Sequence, residues 1–103
     1  MRARSVLLTL LVLVLLAGSG CAANKAVNQA GKMLVSARDV HADYLAPYEF
    51  TLAQEYYFEA QKQLDQSDFS SALEFARRSL EAGHDALALA QQRQKAIDEG
   101  ALP

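Results

Sequence analysis

The apolar positions of this 103-residue chain change rhythm once, near residue 20. Before that point they form a block: Arg2 and Arg4, then residues 6–17 apolar at every position but Thr9, then Gly18, Ser19 and Gly20. Beyond it they recur at intervals of three and four, the spacing that stacks side chains along one face of a helix. Ala26, Ala30, Met33, Ala37, Val40 and Tyr44 predict a helix over about residues 24–44, with Asn24 as N-cap. Phe50, Ala53, Tyr57, Ala60 and Leu64 predict a second over 47–65. It opens on Pro47, whose missing N–H costs nothing in a first turn, and Glu49 suits the positive end of the helix dipole. The longest stripe, Phe69, Leu73, Ala76, Leu80, Gly83, Leu87, Ala90, Gln94 and Ile97, predicts a third helix over 68–98. Ser67 or Asp68 can cap it, and Ser71 with Glu74 offers an alternative capping box. Glu74 and Arg78 form a favourably oriented i,i+4 pair. The turn around Ser67 is so short that helices two and three must be antiparallel neighbours. The heptad rhythm of helix three suits packing near 20°, and Gly83 reads as a close-packing site or a soft point in that helix. The fold class predicted is all-α: a short antiparallel three-helix bundle preceded by a cleaved signal helix.

The N-terminal block has the parts of a secretory signal: a basic start, about a dozen apolar residues and a small-residue exit. The run falls short of the roughly 18–20 apolar residues of a membrane span. Cys21 follows it and is the only cysteine. It has no partner for an internal disulfide, and an exported free thiol is a liability. Here Gly18-Ser19-Gly20-Cys21 resembles the processing box of bacterial lipoproteins, usually Leu, a small residue, Gly or Ala, then Cys. The two positions before the cysteine fit; the leading Leu is absent, and Leu16 stands two places early. The competing cut, by ordinary signal peptidase, lies after Ala23, with Cys21 and Ala23 as the small pair. The lipoprotein resemblance implies cleavage before Cys21, a diacylglycerol on its sulfur and an acyl group on the new amine. One acyl chain holds a protein only marginally, at about 0.8 kcal/mol per buried methylene, and three hold it permanently. In double-membrane hosts an Asp after the cysteine tends to retain the protein in the inner membrane. Ala22 stands there, so the resemblance points to the periplasmic face of the outer membrane. The domains expected are a signal peptide at 1–20, a lipidated tether at 21–24 and a helical domain at 25–103.

A second resemblance rests on Ala46-Pro47, Ser67-Asp68-Phe69, and Ala72 with Ala76-Arg77. This pattern resembles a small family of bacterial envelope lipoproteins of uncharacterised function, and it covers most of the chain after Cys21. Ala60 and Ala72 with Asp68-Phe69 between them are also similar to one tetratricopeptide-like helical hairpin. No second copy follows, and such arrays need about three repeats. The resemblance implies an envelope location, non-catalytic helices and, for some relatives, association with OmpA-like, cell-wall-binding domains.

Charge and composition narrow the function. Without Arg2 and Arg4, eight Lys and Arg face twelve Asp and Glu, a net −4. That argues against a nucleic-acid partner, which would show a basic patch. The remainder is rich in Ala, Gln, Glu and Leu and has no tryptophan, which is helix composition. His41 and His84 lie on different predicted helices, and neither has a histidine or cysteine at i+3 or i+4, so no zinc pair exists. Glu55/Glu59 and Glu81/Asp85 each place two carboxylates on one helix face, which usually means a charged surface. No nucleophile elbow and no phosphate-cradling loop occurs. The reading is therefore of a non-enzyme with no metal and no cofactor.

Two features suggest a binding surface. Tyr56-Tyr57-Phe58 spans about 200° of a helix, so the three cannot face one neighbour. Tyr57 belongs to the core stripe, Tyr56 with Leu52 lies on an edge that can meet helix one, and Phe58 is left among polar residues. The second is length: helices one and two span roughly 30 Å each and helix three about 45 Å. Helix three should overhang from near Ala86, pointing away from the anchored end and carrying Leu87, Leu89, Ala90 and Ile97 to a partner or a second copy. The function expected is an outer-membrane lipoprotein, anchored through Cys21, acting as a non-catalytic adapter or scaffold in an envelope or cell-wall-associated complex. The alternatives are a soluble periplasmic binding module and a small helical hydrolase.

Overall fold

Four helices account for nearly all of the computed structural model, which describes residues 2–101 and leaves the side chains of residues 16–19 outside that description. The side chains of Ser19 in the box and of the displaced Leu16, and residues 102–103 of the expected domain, therefore lie outside it. The helices are α1 (Arg2–Asp39), α2 (Ala42–Leu45), α3 (Pro47–Asp65) and α4 (Phe69–Asp98), and no strand occurs among the described residues.

α1 runs without a break through the expected signal helix, tether and first bundle helix. Asn24 is thus an interior residue rather than a cap, and residues 21–24 are helical. Ala22 and Ala23 are the strongest of helix formers, and Ala23 is fully buried in the packed body. The far end of α1 also departs from expectation. The helix stops at Asp39 instead of continuing to residue 44, because His41 adopts the left-handed conformation (φ 62°, ψ 31°) and donates its N–H to the Arg38 carbonyl at 2.9 Å. Histidine is among the few non-glycine types enriched there. One turn, α2, follows. Tyr44, expected on the core stripe, is 70% exposed, while Ala42 and Ala46 are fully buried in its place.

α3 begins at Pro47 and α4 immediately after Asp68, as the turn chemistry predicts. The intervening turn is a Schellman closure. Ser67 is left-handed (φ 59°) and donates its N–H to the Leu64 carbonyl at 3.0 Å, and the Asp68 N–H reaches the Gln63 carbonyl at 2.9 Å. The Asp68 carboxylate in turn accepts the Ser71 N–H at 3.2 Å and the Ser70 hydroxyl at 3.3 Å, capping α4.

α4 is the central helix, packed along both α1 and α3, which touch each other less. It runs parallel to α1: the Phe69 ring covers Gly20, Met33 covers Gly83, and Ala37 shares a cluster with Ala86 and Ala90. α3 runs antiparallel to both, with Val27, Ala60 and Ala76 forming a second cluster. The stripe predicted for α4 traces only one of its two buried faces; Ala72, Ser79, Ala82 and Ala86 form the other. Among the described residues, twelve of the fourteen buried apolar side chains are alanines, and only Val27 and Phe50 are larger. Such a core holds helices at close range and buries little area per residue. At Gly83 the approach is closest: a Cβ there would lie 2.6 Å from Met33 Cγ. Ser79, 1% exposed, donates its hydroxyl to the Ala53 carbonyl at 2.7 Å, a hydrogen bond between α4 and α3.

Candidate functional site

The first candidate is the end of the body from which α1 projects. At positions 6–15, nine Val and Leu side chains are each 53–66% exposed. The polar side chain among them, Thr9, turns its hydroxyl back to the Ser5 carbonyl at 2.7 Å, which hides a donor that hydrocarbon could not satisfy. By length and composition this helix is apolar enough to cross a membrane, and a signal sequence meets the same description. Cys21 is exposed where the projection meets the body. Beyond it, Asn24, Lys25, Asn28, Gln29 and Lys32 continue a polar strip along α1. The described aliphatic surface thus runs to Leu15, and polar surface lies beyond the cysteine.

The second candidate is a groove of about 470 Å³ between α1 and α3. Its exposed apolar rim is Val35 and Phe58, 62% and 57% exposed, and Arg38 and Asp39 stand at its far end. The Arg38 guanidinium lies 5.3 Å from the centre of the Phe50 ring, a cation–π distance. Tyr57 reaches across to α1 because Gly31 leaves room: a Cβ there would come within 3.1–3.3 Å of the ring and hydroxyl. Phe58 therefore lies on the α1–α3 groove. Tyr56 does not meet helix one; it stacks on Phe75 of α4 at 6.2 Å, with the Arg78 guanidinium over its ring.

The overhang expected of α4 is largely covered. Ala86 and Ala90 are fully buried against Ala37, Ala42, Ala46 and Phe50, and Leu87 and Leu89 pack on the same cluster. The physical reason is α2: the left-handed His41 ends α1 early and lays the following turn against α4. Arg93 fastens this cover by donating to the Leu45 carbonyl, which faces the break at Pro47. Leu87, Leu89 and Ala90 are consequently core or core-edge residues. Ile97, farther along α4, is half-buried, and none of the four is brought near Phe58. The Arg93 contact had no signal in the sequence. That of Ser79 was a small polar residue between stripe positions.

For catalysis the geometry offers little. Among the described residues no group of three or more His, Cys, Asp or Glu side chains could hold a metal ion. His41 packs against Tyr44 at 5.8 Å, and both are exposed. Glu59 accepts from Gln63 at 2.9 Å, and Glu81 and Asp85 are exposed. The Asp68 carboxyl is held below its ordinary value by Ser71, through hydroxyl and backbone N–H, and by Ser70. That is the signature of a helix cap rather than a proton-transfer group. A comparison of the chain with protein-family models, with curated proteins and with solved structures finds no match.

Proposed function

We propose that this chain is an exported lipoprotein, held on the periplasmic face of an outer membrane by acyl chains on Cys21, and that its helical body works by binding rather than catalysis. The carrying observation is the aliphatic projection, exposed from Val6 to Leu15, followed by an exposed cysteine where the packed body begins. A cut before Cys21 removes the surface that water disfavours and takes from the packed body only Gly20, which lies against Phe69. A cut after Ala23 removes a fully buried side chain, which favours the former over the ordinary signal-peptidase cut. In the proposed chemistry the Cys21 sulfur displaces the phosphate headgroup of a phospholipid, taking its diacylglyceryl group while the thiol proton leaves with the phosphate. Water then splits the Gly20–Cys21 peptide bond, and the freed amine attacks an acyl ester of a second phospholipid, forming an amide and releasing the lysophospholipid. The binding surface is the α1–α3 groove with Val35 and Phe58 on its rim. An envelope protein, of the OmpA-like kind or another, is the partner class proposed.

The unbroken course of α1 through Cys21 favours a second reading, in which residues 2–19 stay in place as a membrane span. One experiment separates the two. Intact mass and palmitate labelling should find a chain that starts at an acylated Cys21, and Cys21→Ser should abolish the label and leave residues 1–20 attached. A native chain of full length and without label would establish the span and end the lipoprotein reading.

A further inference from the structure

Removal of residues 1–20 takes away Gly20, which lies against the Phe69 ring. The ring lies over that glycine, with Cζ 3.5 Å from where a Cβ would stand. Phe69 is only half-buried even with Gly20 in place. It is the first residue of α4, fixed directly behind the Asp68 cap, so its backbone position does not depend on the lost segment. Resting on the lipoprotein reading, we propose that Phe69 is a second membrane contact: once the Gly20–Cys21 bond is cut, its uncovered ring enters the bilayer interface beside the acyl chains of Cys21.

The geometry sets the depth. Consecutive Cα atoms are about 3.8 Å apart, so a ring in contact with residue 20 lies at the level of residue 21 along α1. The acyl chains leave the protein at that level, and the aliphatic projection continues from it in the precursor. Gln66, Ser67 and Asp68, beside the ring, are exposed and polar, which suits the headgroup layer. Phe is among the apolar side chains that interfacial segments bury at the headgroup–acyl boundary, with polar residues beside them in the headgroup layer. Acyl chains on a single residue attach a protein without orienting it. A rigid aromatic on a neighbouring helix adds a second point and holds α1, α3 and α4 upright.

The chain has no tryptophan, so Phe69→Trp introduces a lone indole fluorophore, and Phe58→Trp supplies the same probe on the groove. Each acylated variant, purified from membranes with its mass checked, is placed in phosphatidylcholine vesicles with or without brominated acyl chains. The indole emission of Phe69→Trp should shift to shorter wavelength and lose more than half its intensity to the brominated lipid, while that of Phe58→Trp keeps its own. Equal behaviour of the two variants overturns the proposal. If circular dichroism shows that Phe69→Trp does not fold, the native chain decides: a lipid with a photoreactive group in its acyl chain should label the peptide that holds Phe69, and absence of label there overturns it. A chain found to keep residues 1–20 overturns this proposal together with the lipoprotein reading. An acylated Phe69→Trp chain whose emission is unquenched overturns this proposal alone.

Discussion

The two halves of α1 differ in a way that inverts the usual distribution of side chains. Its first half carries nine large aliphatic side chains at positions 6–15, all exposed; its second half is richer in small and polar residues, and it is the half that packs. Bulk has been placed where lipid or export machinery can take it up. Alanine has been placed where a neighbouring helix must come close. The difference teaches that hydrophobicity along a helix need not report where its protein core lies. In the packed half the stabilising terms are dispersion across close backbones and a few larger anchors, since each buried alanine removes little area from water.

The sharpest way to break this comparison is to make the same kind of truncation in each region. Phe50 is the largest buried side chain, 4% exposed, and lies between α1, α2 and α4. Phe50→Ala should cost about 3–5 kcal/mol, enough to unfold much of so small a body, with denaturant unfolding as the measurement. Leu11→Ala, at a position 57% exposed, should change the stability of the body by less than about 0.5 kcal/mol. Equal costs would mean that the projecting half is part of the core.

A smaller effect tests the close approach itself. Gly83→Val places atoms into Met33 and should cost about 1–3 kcal/mol. In a Met33→Ala background the same substitution should cost less, which a double-mutant cycle reads directly. Smaller again is the left-handed Ser67: Ser67→Gly relieves its backbone and should raise stability by about 0.5–1 kcal/mol in thermal unfolding. The least effect belongs to Asp68. Its folded-state carboxyl is held below the ordinary value of 3.8, so its contribution is fully present above that pH and fades as pH falls through the lower folded value. Acid unfolding of Asp68→Ala should lack this component while keeping the others.

Much of this arrangement was legible in the residues. Pro47 and the Ser67-Asp68 pair marked the start of α3 and the turn into α4 because each has a specific backbone role there. Gly83 was legible as a close-packing position. The end of α1 was not, because the left-handed residue is a histidine, with neither glycine nor asparagine to mark it. That miss propagated: a helix carried to residue 44 leaves α4 uncovered, and the binding role given to Leu87, Leu89 and Ala90 followed from it. The second buried face of α4 also escaped, since a single stripe cannot show that a helix lies between two others. For the candidate site, Cys21 and Phe58 were singled out from their surroundings in sequence, and both are exposed in the structure. The groove beside Phe58 needed the crossing of α1 over α3, which spacing along one helix does not contain.

The turn between α3 and α4 has one further implication. The main-chain nitrogen of Asp68 closes one helix and its side chain opens the next, so a single amino acid serves as both full stop and capital letter. A connection built this way has no slack. Adding even one residue between 65 and 69 would separate the two duties and rotate α4 relative to α3, so an inserted tag or an engineered loop should be accepted far less readily here than beyond residue 98, where the last helix has already ended.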